Sequence, residues 1–281
     1  MTTETTASPA ERPRKGVRTT ATVTAVRRLT PHMVRVTLGG DALDALDAGP
    51  FTDRYVKLVL GELADGRPLL RTYTVRAVRD GAWDIDVVLH GSEHDSDGEE
   101  QGGEGFGGPW AAAARPGDEV TFVGPGGEYA PSPDADWHLL VGDESALPAI
   151  AAALEALPAG AVARAFVEVE GPQEHQQIAS AGDVRLVWVD RSAGADVADV
   201  VRAAHAVGSL PDGVPHAFLH GEAACVRELR RWTRAELGVP RELLSASGYW
   251  RRGRTDEGWR AEKQDWKAAV EHDDEALAAA H

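Results

Sequence analysis

The sequence predicts two domains of different class, an antiparallel β-barrel followed by a parallel α/β domain. Up to about residue 134, short runs of alternating apolar and polar residues are separated by Gly, Pro and Asp clusters, which is typical of an antiparallel barrel or sandwich. After that point, short apolar runs alternate with amphipathic stretches of helical period, which indicates a parallel sheet covered by helices. A chain of 281 residues is long enough to bury a core in each domain.

The first domain is assigned to residues 17–134, after a polar segment, 1–16, that we expect to be disordered. Within the domain, residues 91–108 are rich in glycine and carboxylates, and such a composition buries too little apolar surface to order itself. We expect a mobile acidic loop there rather than a calcium site, whose regular ligand spacing is missing. The predicted strands are 21–30, 32–40, 54–60, 71–78, 83–91 and 118–127.

The second domain is assigned to residues 135–250, and a basic, aromatic segment at 251–281 ends as a peripheral helix or a loose tail. Its predicted strands are 137–142, 163–170, 184–190 and 216–221, and its predicted helices are 145–157, 195–207 and 222–237.

Composition excludes several classes of function. The 29 Lys and Arg residues are outnumbered by 45 Asp and Glu residues, and a net charge of −16 disfavours binding to nucleic acid or to an anionic membrane. No run is apolar enough for a signal peptide or a membrane span, so we expect a cytoplasmic, monomeric protein. One cysteine excludes an internal disulfide and a multi-cysteine iron–sulfur cluster.

Residues 71–76, RTYTVR, carry an unusual set of side chains. Alternation along a strand places Arg71 and Tyr73 on one face, and Thr74 and Arg76 on the other. An ordinary half-buried strand with charged ends also fits this pattern. However, arginine makes forked hydrogen bonds to phosphate, while a tyrosine ring and a threonine hydroxyl suit the face and edge of a flat heteroaromatic ring. The combination predicts a flavin dinucleotide site.

The end of the next strand and a short Ala-rich helix at GFGGPWAAAA extend this candidate site. Backbone amides at such a helix start can hold phosphate. The candidate flavin contacts are Arg71, Tyr73, Thr74, Arg76, His90, Gly91, Gly108, Pro109 and Trp110.

The first strand of the second domain leads into a turn and a helix, where Ser145 is placed to cap the helix and Pro148 is tolerated in its first turn. The full G-x-G-x-x-G dinucleotide fingerprint is missing, so a plain turn explains this stretch as well as a phosphate site does. Ligands of open α/β sheets bind at the carboxyl ends of the strands. A later strand brings three residues to that edge: His220, Gly221 and Glu222.

Four segments together carry a resemblance to a known family. The R-x-Y-T stretch, LHG…GPWAAAARPGD, LLVGDESALPAI and SGYWRRGRTDEGW occur in the order seen in the siderophore-interacting protein family, which the chain resembles from about Val17 to Trp266. The resemblance implies a fold similar to ferredoxin–NADP reductases, with FAD in the barrel, a Rossmann-like second domain for NADH or NADPH, and reduction of ferric siderophores. It also implies that the nicotinamide nucleotide is approached by Gly142, Asp143, Glu144, Ser145 and Ala146.

The preference between NADH and NADPH is left open by conflicting signals. Glu168 and Glu170 suit a ribose 2′-hydroxyl and repel a 2′-phosphate, whereas Arg191 and Ser192 could bind that phosphate. The position of Arg191, together with the resemblance, tilts the expectation slightly towards NADPH.

A basic cluster stands out in this acidic chain and predicts the acceptor site. Arginines lie beside Tyr249, Trp250 and Trp259, which suits an anionic iron chelate, although a solvated basic face is the alternative. Family members have a lysine in a similar V-K-L strand and basic residues near the late Y-W-R motif. Many of them also read G-P-R-G where this chain has GPGG at 124–127, so one basic contact is missing. The candidate substrate contacts are Lys57, Arg251, Arg252 and Arg254.

The remaining chemistry-bearing residues give no further site. Cys225 lies within a predicted amphipathic helix and is expected to be a buried apolar residue. The histidines lack metal-ligand spacing, so we expect no protein-bound metal, and no side-chain nucleophile is predicted.

The sequence therefore predicts a reductase that passes electrons from NAD(P)H through FAD to a ferric siderophore, releasing Fe(II). Two alternatives remain: a flavin reductase that serves a protein partner such as a ferredoxin or an oxygenase, and a ferric-chelate carrier that binds without turnover.

Overall fold

The computed structural model describes residues 17–89 and 105–279, so His90, Gly91 and most of the predicted acidic loop lie outside the described residues. The first domain is a closed antiparallel barrel with strand order β1-β2-β5-β4-β3-β6. Its strands are β1 (Arg18–Thr30), β2 (Met33–Gly39), β3 (Tyr55–Glu62), β4 (Pro68–Arg79), β5 (Ala82–Val88) and β6 (Glu119–Gly126), with short helices α1 (Asp41–Asp44) and α2 (Gly107–Ala113).

Inward-facing residues of all six strands fill the barrel. Trp83 and Phe122 lie within it with ring centroids 6.0 Å apart, surrounded by aliphatic side chains such as Leu38, Leu58 and Ile85. Alternation along each strand produces this core, because successive side chains point to opposite faces. The predicted barrel is confirmed.

The second domain is a five-stranded parallel sheet of order β11-β10-β7-β8-β9. Helix α3 covers one face, and α4 and α5 cover the other. The strands are β7 (Trp137–Asp143), β8 (Val162–Val169), β9 (Asp183–Asp190), β10 (Pro215–Glu222) and β11 (Leu244–Trp250), and the helices are α3 (Leu147–Ala156), α4 (Val197–Ala206) and α5 (Ala223–Glu236).

The predicted parallel α/β domain is confirmed, but the sequence did not reveal β11. Its sequence, LSASGYW, consists mostly of small residues, and it pairs with β10 at one edge of the sheet. The other strands were identified from alternating or continuous apolar residues, and this strand shows neither pattern clearly.

The barrel and the sheet are joined by direct contacts on the side of α3. Glu174 is 3% exposed and accepts hydrogen bonds from the Thr30 hydroxyl and from the backbone of His32, whose Nδ1 also lies 2.9 Å from its Oε1. Tyr129, in the segment between the domains, packs on Phe218 with ring centroids 4.8 Å apart. These contacts hold the β1–β2 turn against the second domain.

The C-terminal segment forms one long helix, α6 (Asp256–Ala279), which contacts both domains. Arg227 and Arg230 of α5 pair with Asp273 and Asp274 of α6, while Arg260 donates a hydrogen bond to the Leu70 carbonyl of the barrel. No helix in the described part of the chain is long and apolar enough to cross a membrane.

Candidate functional site

The RTYTVR segment lies in the middle of β4, beside the start of α2. Val75 points into the barrel core, and Tyr73 packs against the edge of that core. The Tyr73 hydroxyl lies against Gly107, where a Cβ atom would be 1.5 Å from the hydroxyl oxygen. Gly107 therefore permits the close approach of α2 to Tyr73. Trp110 of α2 also packs against the barrel core.

The two arginines of the segment have protein partners. Arg71 is 7% exposed and pairs with Asp256 at 3.0 Å and Glu257 at 2.7 Å, both at the start of α6. The side chain of Arg71 also lies against the Phe106 ring. Arg76 makes a two-point ion pair with Glu155 of α3, which links the barrel to the second domain. Of the two, Arg71 lies beside Tyr73 on the same face of the strand.

Thr74 begins a line of hydrogen-bonding groups that crosses from the barrel to the sheet. The Thr74 side chain lies next to the Tyr249 hydroxyl of β11, close enough to affect the pKa of that phenol. The Tyr249 hydroxyl lies 2.9 Å from Nδ1 of His220, and Nε2 of His220 lies 2.9 Å from the Ser245 hydroxyl. Burial lowers the pKa of His220 to about 3, so this imidazole is neutral at physiological pH.

Asp143 is the polar centre of the sheet's carboxyl edge. Its Oδ2 accepts hydrogen bonds from the Glu222 amide and from the Trp250 indole, each at 2.8 Å, and its Oδ1 accepts from the Ser145 amide and hydroxyl. Burial raises the pKa of the Asp143 carboxyl. A Cβ at Gly221 would lie 2.5 Å from Oδ2, so only glycine fits beside this carboxylate.

Two further motif residues also have structural roles. A Cβ at Gly142 would lie 2.6 Å from both the Ala146 Cβ and the His220 carbonyl, so this glycine permits close packing of the turn on β10. Glu222 caps α5 through hydrogen bonds from the amides of Ala224 and Cys225.

The prediction that Ser145 caps helix α3 was wrong. Helix α3 is preceded by Ala146 without a side-chain cap, and Pro148 lies in its first turn as predicted. The Ser145 hydroxyl instead donates to Asp143, because the buried carboxylate needs donors and lies two residues away.

Arg191, just after β9, lies among three carboxylates. It makes a two-point ion pair with Glu144, and lies 3.3 Å from Glu168 and 3.5 Å from Glu170. The residues predicted to bind a ribose hydroxyl and those predicted to bind a 2′-phosphate are thus in direct contact with one another.

A cavity of about 250 Å³ opens beside this cluster, at the carboxyl ends of β7, β8 and β10. Glu168 forms part of its wall, and burial raises the pKa of this carboxyl. Asp196 and Glu222 contribute further acidic groups to the lining, and Arg252 contributes a basic one. The cavity has the position expected for a ligand of a parallel sheet.

The four predicted substrate contacts lie in different surroundings. Arg251 and Arg254 both pair with Glu262 of α6, whereas Arg252 faces the acidic cavity. The Lys57 ammonium lies 5.8 Å from the centre of the Tyr55 ring.

The structure reveals a basic residue that the sequence analysis missed. Lys263 of α6 is half-buried, with its ammonium 5.9 Å from the centre of the Trp259 ring. Burial lowers its pKa, and the nearby charges of Lys267, Arg260 and Lys57 lower it further. The spacing of Arg260, Lys263 and Lys267, which share one face of a helix, was the signal available in the sequence.

Cys225 lies in α5, beside the acidic cavity, and burial raises the pKa of its thiol to about 12. The residue is half-buried rather than fully buried as expected, and it packs against the apolar core of the second domain. Within residues 17–89 and 105–279, no group of three His, Cys, Asp or Glu side chains is arranged to hold a metal ion.

Family models match both domains. Residues 135–253 match the model described as Siderophore-interacting protein, and residues 22–65 and 61–129 match the one described as Siderophore-interacting FAD-binding domain.

Relatives align along most of the chain. A Mycobacterium tuberculosis protein without a functional name is 45% identical over 276 residues, covering 86% of this chain and 93% of the relative. The ferric vibriobactin reductase of Vibrio cholerae is 33% identical over 202 residues, 70% of each chain. The NADPH-dependent ferric-chelate reductase of Escherichia coli is 29% identical over 82% of this chain and 91% of its own.

Among solved structures, the siderophore-interacting protein SipS from Aeromonas hydrophila superimposes with a TM-score of 0.72. It is 28% identical, and the match covers 88% of this chain and 97% of SipS.

Proposed function

The chain belongs to the siderophore-interacting protein family and is an oxidoreductase, and we propose that it carries electrons from a nicotinamide dinucleotide through FAD to ferric iron in a siderophore. The observation that carries the proposal is that Thr74 lies next to Tyr249, whose hydroxyl is 2.9 Å from Nδ1 of His220. Here, the predicted flavin segment of the barrel meets the carboxyl edge of the parallel sheet, where a nucleotide is expected.

The residues at β4 fit FAD in chemistry and space. Arg71 supplies a fork-shaped donor for the diphosphate, the Tyr73 ring a flat face for the ring system, and the Thr74 hydroxyl a hydrogen bond at its edge. The missing Cβ at Gly107 gives the Tyr73 hydroxyl its space and so sets the position of the tyrosine ring. Arg71 lies beside Tyr73 on one face of the strand, whereas Arg76 points away from Tyr73 and binds Glu155 of α3, so we assign the diphosphate to Arg71.

Bound FAD would supply the chemistry that the chain lacks, since a flavin accepts two electrons as a hydride and releases them singly, as ferric iron requires. The protein's own part is to position the groups. Neutral His220 holds the Tyr249 hydroxyl, which in turn meets Thr74, and so fixes the polar groups at the junction of the two domains.

We place the acceptor at the basic surface formed by Lys57, Lys263 and Lys267. Burial and, to a lesser degree, the neighbouring positive charges lower the pKa of Lys263, and an anionic ferric chelate would relieve the repulsion between these charges. Arg251 and Arg254 are weaker candidates, because each is already paired with Glu262.

A spectroscopic titration of purified protein tests the proposal. Protein incubated with FAD is mixed anaerobically with NADH or NADPH and then with a ferric siderophore, in the presence of an Fe(II) indicator. We expect the flavin bands to bleach with the nucleotide and to return as Fe(II) appears. Protein that stays colourless after incubation with FAD would contradict the proposal. Tight chelate binding without turnover would favour a carrier, and faster electron transfer to a ferredoxin would favour a protein partner.

The acceptor surface is tested by comparing two double variants of equal charge change. Lys57→Gln/Lys263→Gln should raise KM for an anionic ferric chelate about tenfold, with a smaller effect on a neutral dye. Arg251→Gln/Arg254→Gln should have the smaller effect on the chelate. The reverse ranking would move the acceptor to the arginines predicted from the sequence.

A further inference from the structure

Arg191 lies where a cation could reach the 2′-phosphate of NADPH. It directly follows β9 and contacts Glu168 and Glu170 at the end of β8, and dinucleotide-binding domains place an acidic residue for a ribose hydroxyl, or a nearby arginine for the phosphate, in this region of the sheet edge. Here both kinds of residue are present, so the contacts that each makes within the protein decide which one can bind the nucleotide.

The guanidinium of Arg191 is already ion-paired within the protein. Glu144 binds the guanidinium with both oxygens, and Glu168 and Glu170 lie within 3.5 Å of it. Glu144 alone balances the charge of the guanidinium, and Glu168 and Glu170 add two further carboxylates around it. A 2′-phosphate brings a further charge of about −1.5 to −2 at pH 7, and like charges placed together are disfavoured.

Glu168 is the carboxylate with access to a ligand. It lines the cavity at the carboxyl edge, and its Oε2 accepts a hydrogen bond from the Val197 amide at the start of α4. That hydrogen bond fixes the carboxylate beside the cavity. A ribose hydroxyl can donate to such an oxygen, whereas a phosphate carries acceptors and negative charge.

We propose that this chain uses NADH in preference to NADPH, with Glu168 accepting the ribose hydroxyl while Glu144 and Glu170 keep Arg191 from a 2′-phosphate. The inference rests on the proposed function, because it names the electron donor of the same site. It reverses the slight tilt towards NADPH that Arg191 suggests in the sequence, and it distinguishes this chain from the relative named for NADPH.

The first test compares the two donors on the FAD-loaded, full-length protein. We expect kcat/KM for NADH to exceed that for NADPH by about tenfold or more. Equal values, or a preference for NADPH, would overturn the inference while leaving the proposed function standing. If neither donor bleaches the flavin, both the inference and the proposed donor chemistry fail.

The second test releases Arg191 by Glu144→Gln/Glu170→Gln. This variant should reduce the NADH-to-NADPH ratio of kcat/KM by about tenfold, because the freed guanidinium can then meet the phosphate. The control, Glu236→Gln/Glu242→Gln, removes the same charge from exposed positions and should leave the ratio unchanged. An equal change in both variants would indicate a general charge effect and overturn the assignment to Arg191.

A binding measurement gives a result that is independent of turnover. Calorimetric titration with ADP-ribose and with its 2′-phosphate should show tighter binding of the unphosphorylated compound to the wild-type protein, and a narrower difference in Glu144→Gln/Glu170→Gln. Tighter binding of the 2′-phosphate by the wild type would contradict the inference, even if the variant fails to fold.

Discussion

At the scale of single residues, Tyr73 and Gly107 show how packing shapes the candidate flavin site. The tyrosine hydroxyl occupies the space that a side chain at position 107 would need. Since Gly107 is buried, neither the start of α2 nor the Tyr73 ring can move without disturbing the barrel edge. The position of the aromatic ring thus depends on a residue 34 positions later, which has no side chain of its own.

Gly107→Ala should therefore weaken FAD binding about tenfold and destabilise the protein by about 1–3 kcal/mol, because overpacking displaces Tyr73. FAD affinity is measured from the quenching of flavin fluorescence, and stability from urea unfolding. Gly105→Ala is the control, since a Cβ there meets nothing within 4 Å. Wild-type FAD affinity in Gly107→Ala would show that Tyr73 does not contact the flavin.

At the scale of elements, α6 connects the two domains through charge. Its later turns pair with the arginines of α5, and its first turn places Asp256 and Glu257 on Arg71. The acidic start of the helix therefore occupies the guanidinium that we assign to the FAD diphosphate. Binding of FAD has to compete with these two carboxylates.

Asp256→Asn/Glu257→Gln should tighten FAD binding several-fold, because the variant frees Arg71 for the diphosphate. Asp265→Asn/Glu271→Gln removes the same charge from exposed positions of α6 and should leave FAD affinity close to that of the wild type. The affinities are compared by fluorescence titration, with circular dichroism to verify that α6 is retained. Unchanged or weaker binding in the first variant would argue against Arg71 as the diphosphate ligand.

At the scale of the whole molecule, burial of titratable groups makes stability depend on pH. His138 of β7 is 3% exposed, and its Nδ1 has no hydrogen-bond partner. Burial, and to a lesser degree the nearby His216, lowers the pKa of His138 to about 4 from an ordinary value of 6.5. The unfolded chain therefore takes up the proton first as the pH falls, so this residue stabilises the fold fully only above about pH 6.5.

We expect His138 to lower the free energy of unfolding by about 1.4 kcal/mol for each pH unit between about 6.5 and 4, with no further loss below that range. The free energy of unfolding is measured with urea at a series of pH values for the wild type and for His138→Gln. The difference between the two slopes of this free energy against pH gives the contribution of His138. The surface variant His272→Gln serves as the control. Parallel curves for wild type and His138→Gln would show that the buried imidazole does not control acid stability.

The fold could be predicted to a large extent, and the site only in outline. Alternation identified the barrel strands, and helical periodicity identified α3, α4 and α5, because both patterns repeat over neighbouring residues. Strand β11 was missed because its mostly small residues show no clear alternation of apolar and polar side chains. Ser145 was predicted to cap α3 because its position just before the helix allows it. That its hydroxyl donates to Asp143 instead became evident only once the burial of this carboxylate was known.

The sequence by itself determined the order and class of the two domains, the motif residues at the carboxyl edge of the sheet, and the acidic balance of the chain. Only the tertiary structure decided which charged side chains are ion-paired within the protein and which can bind a ligand. Arg71 meets Glu257 across 186 positions, and Arg191 meets Glu144 across 47. The reason is physical: periodicity depends on residues close in sequence, whereas an ion pair depends on distances that only packing sets, and residues far apart in the chain share no local pattern.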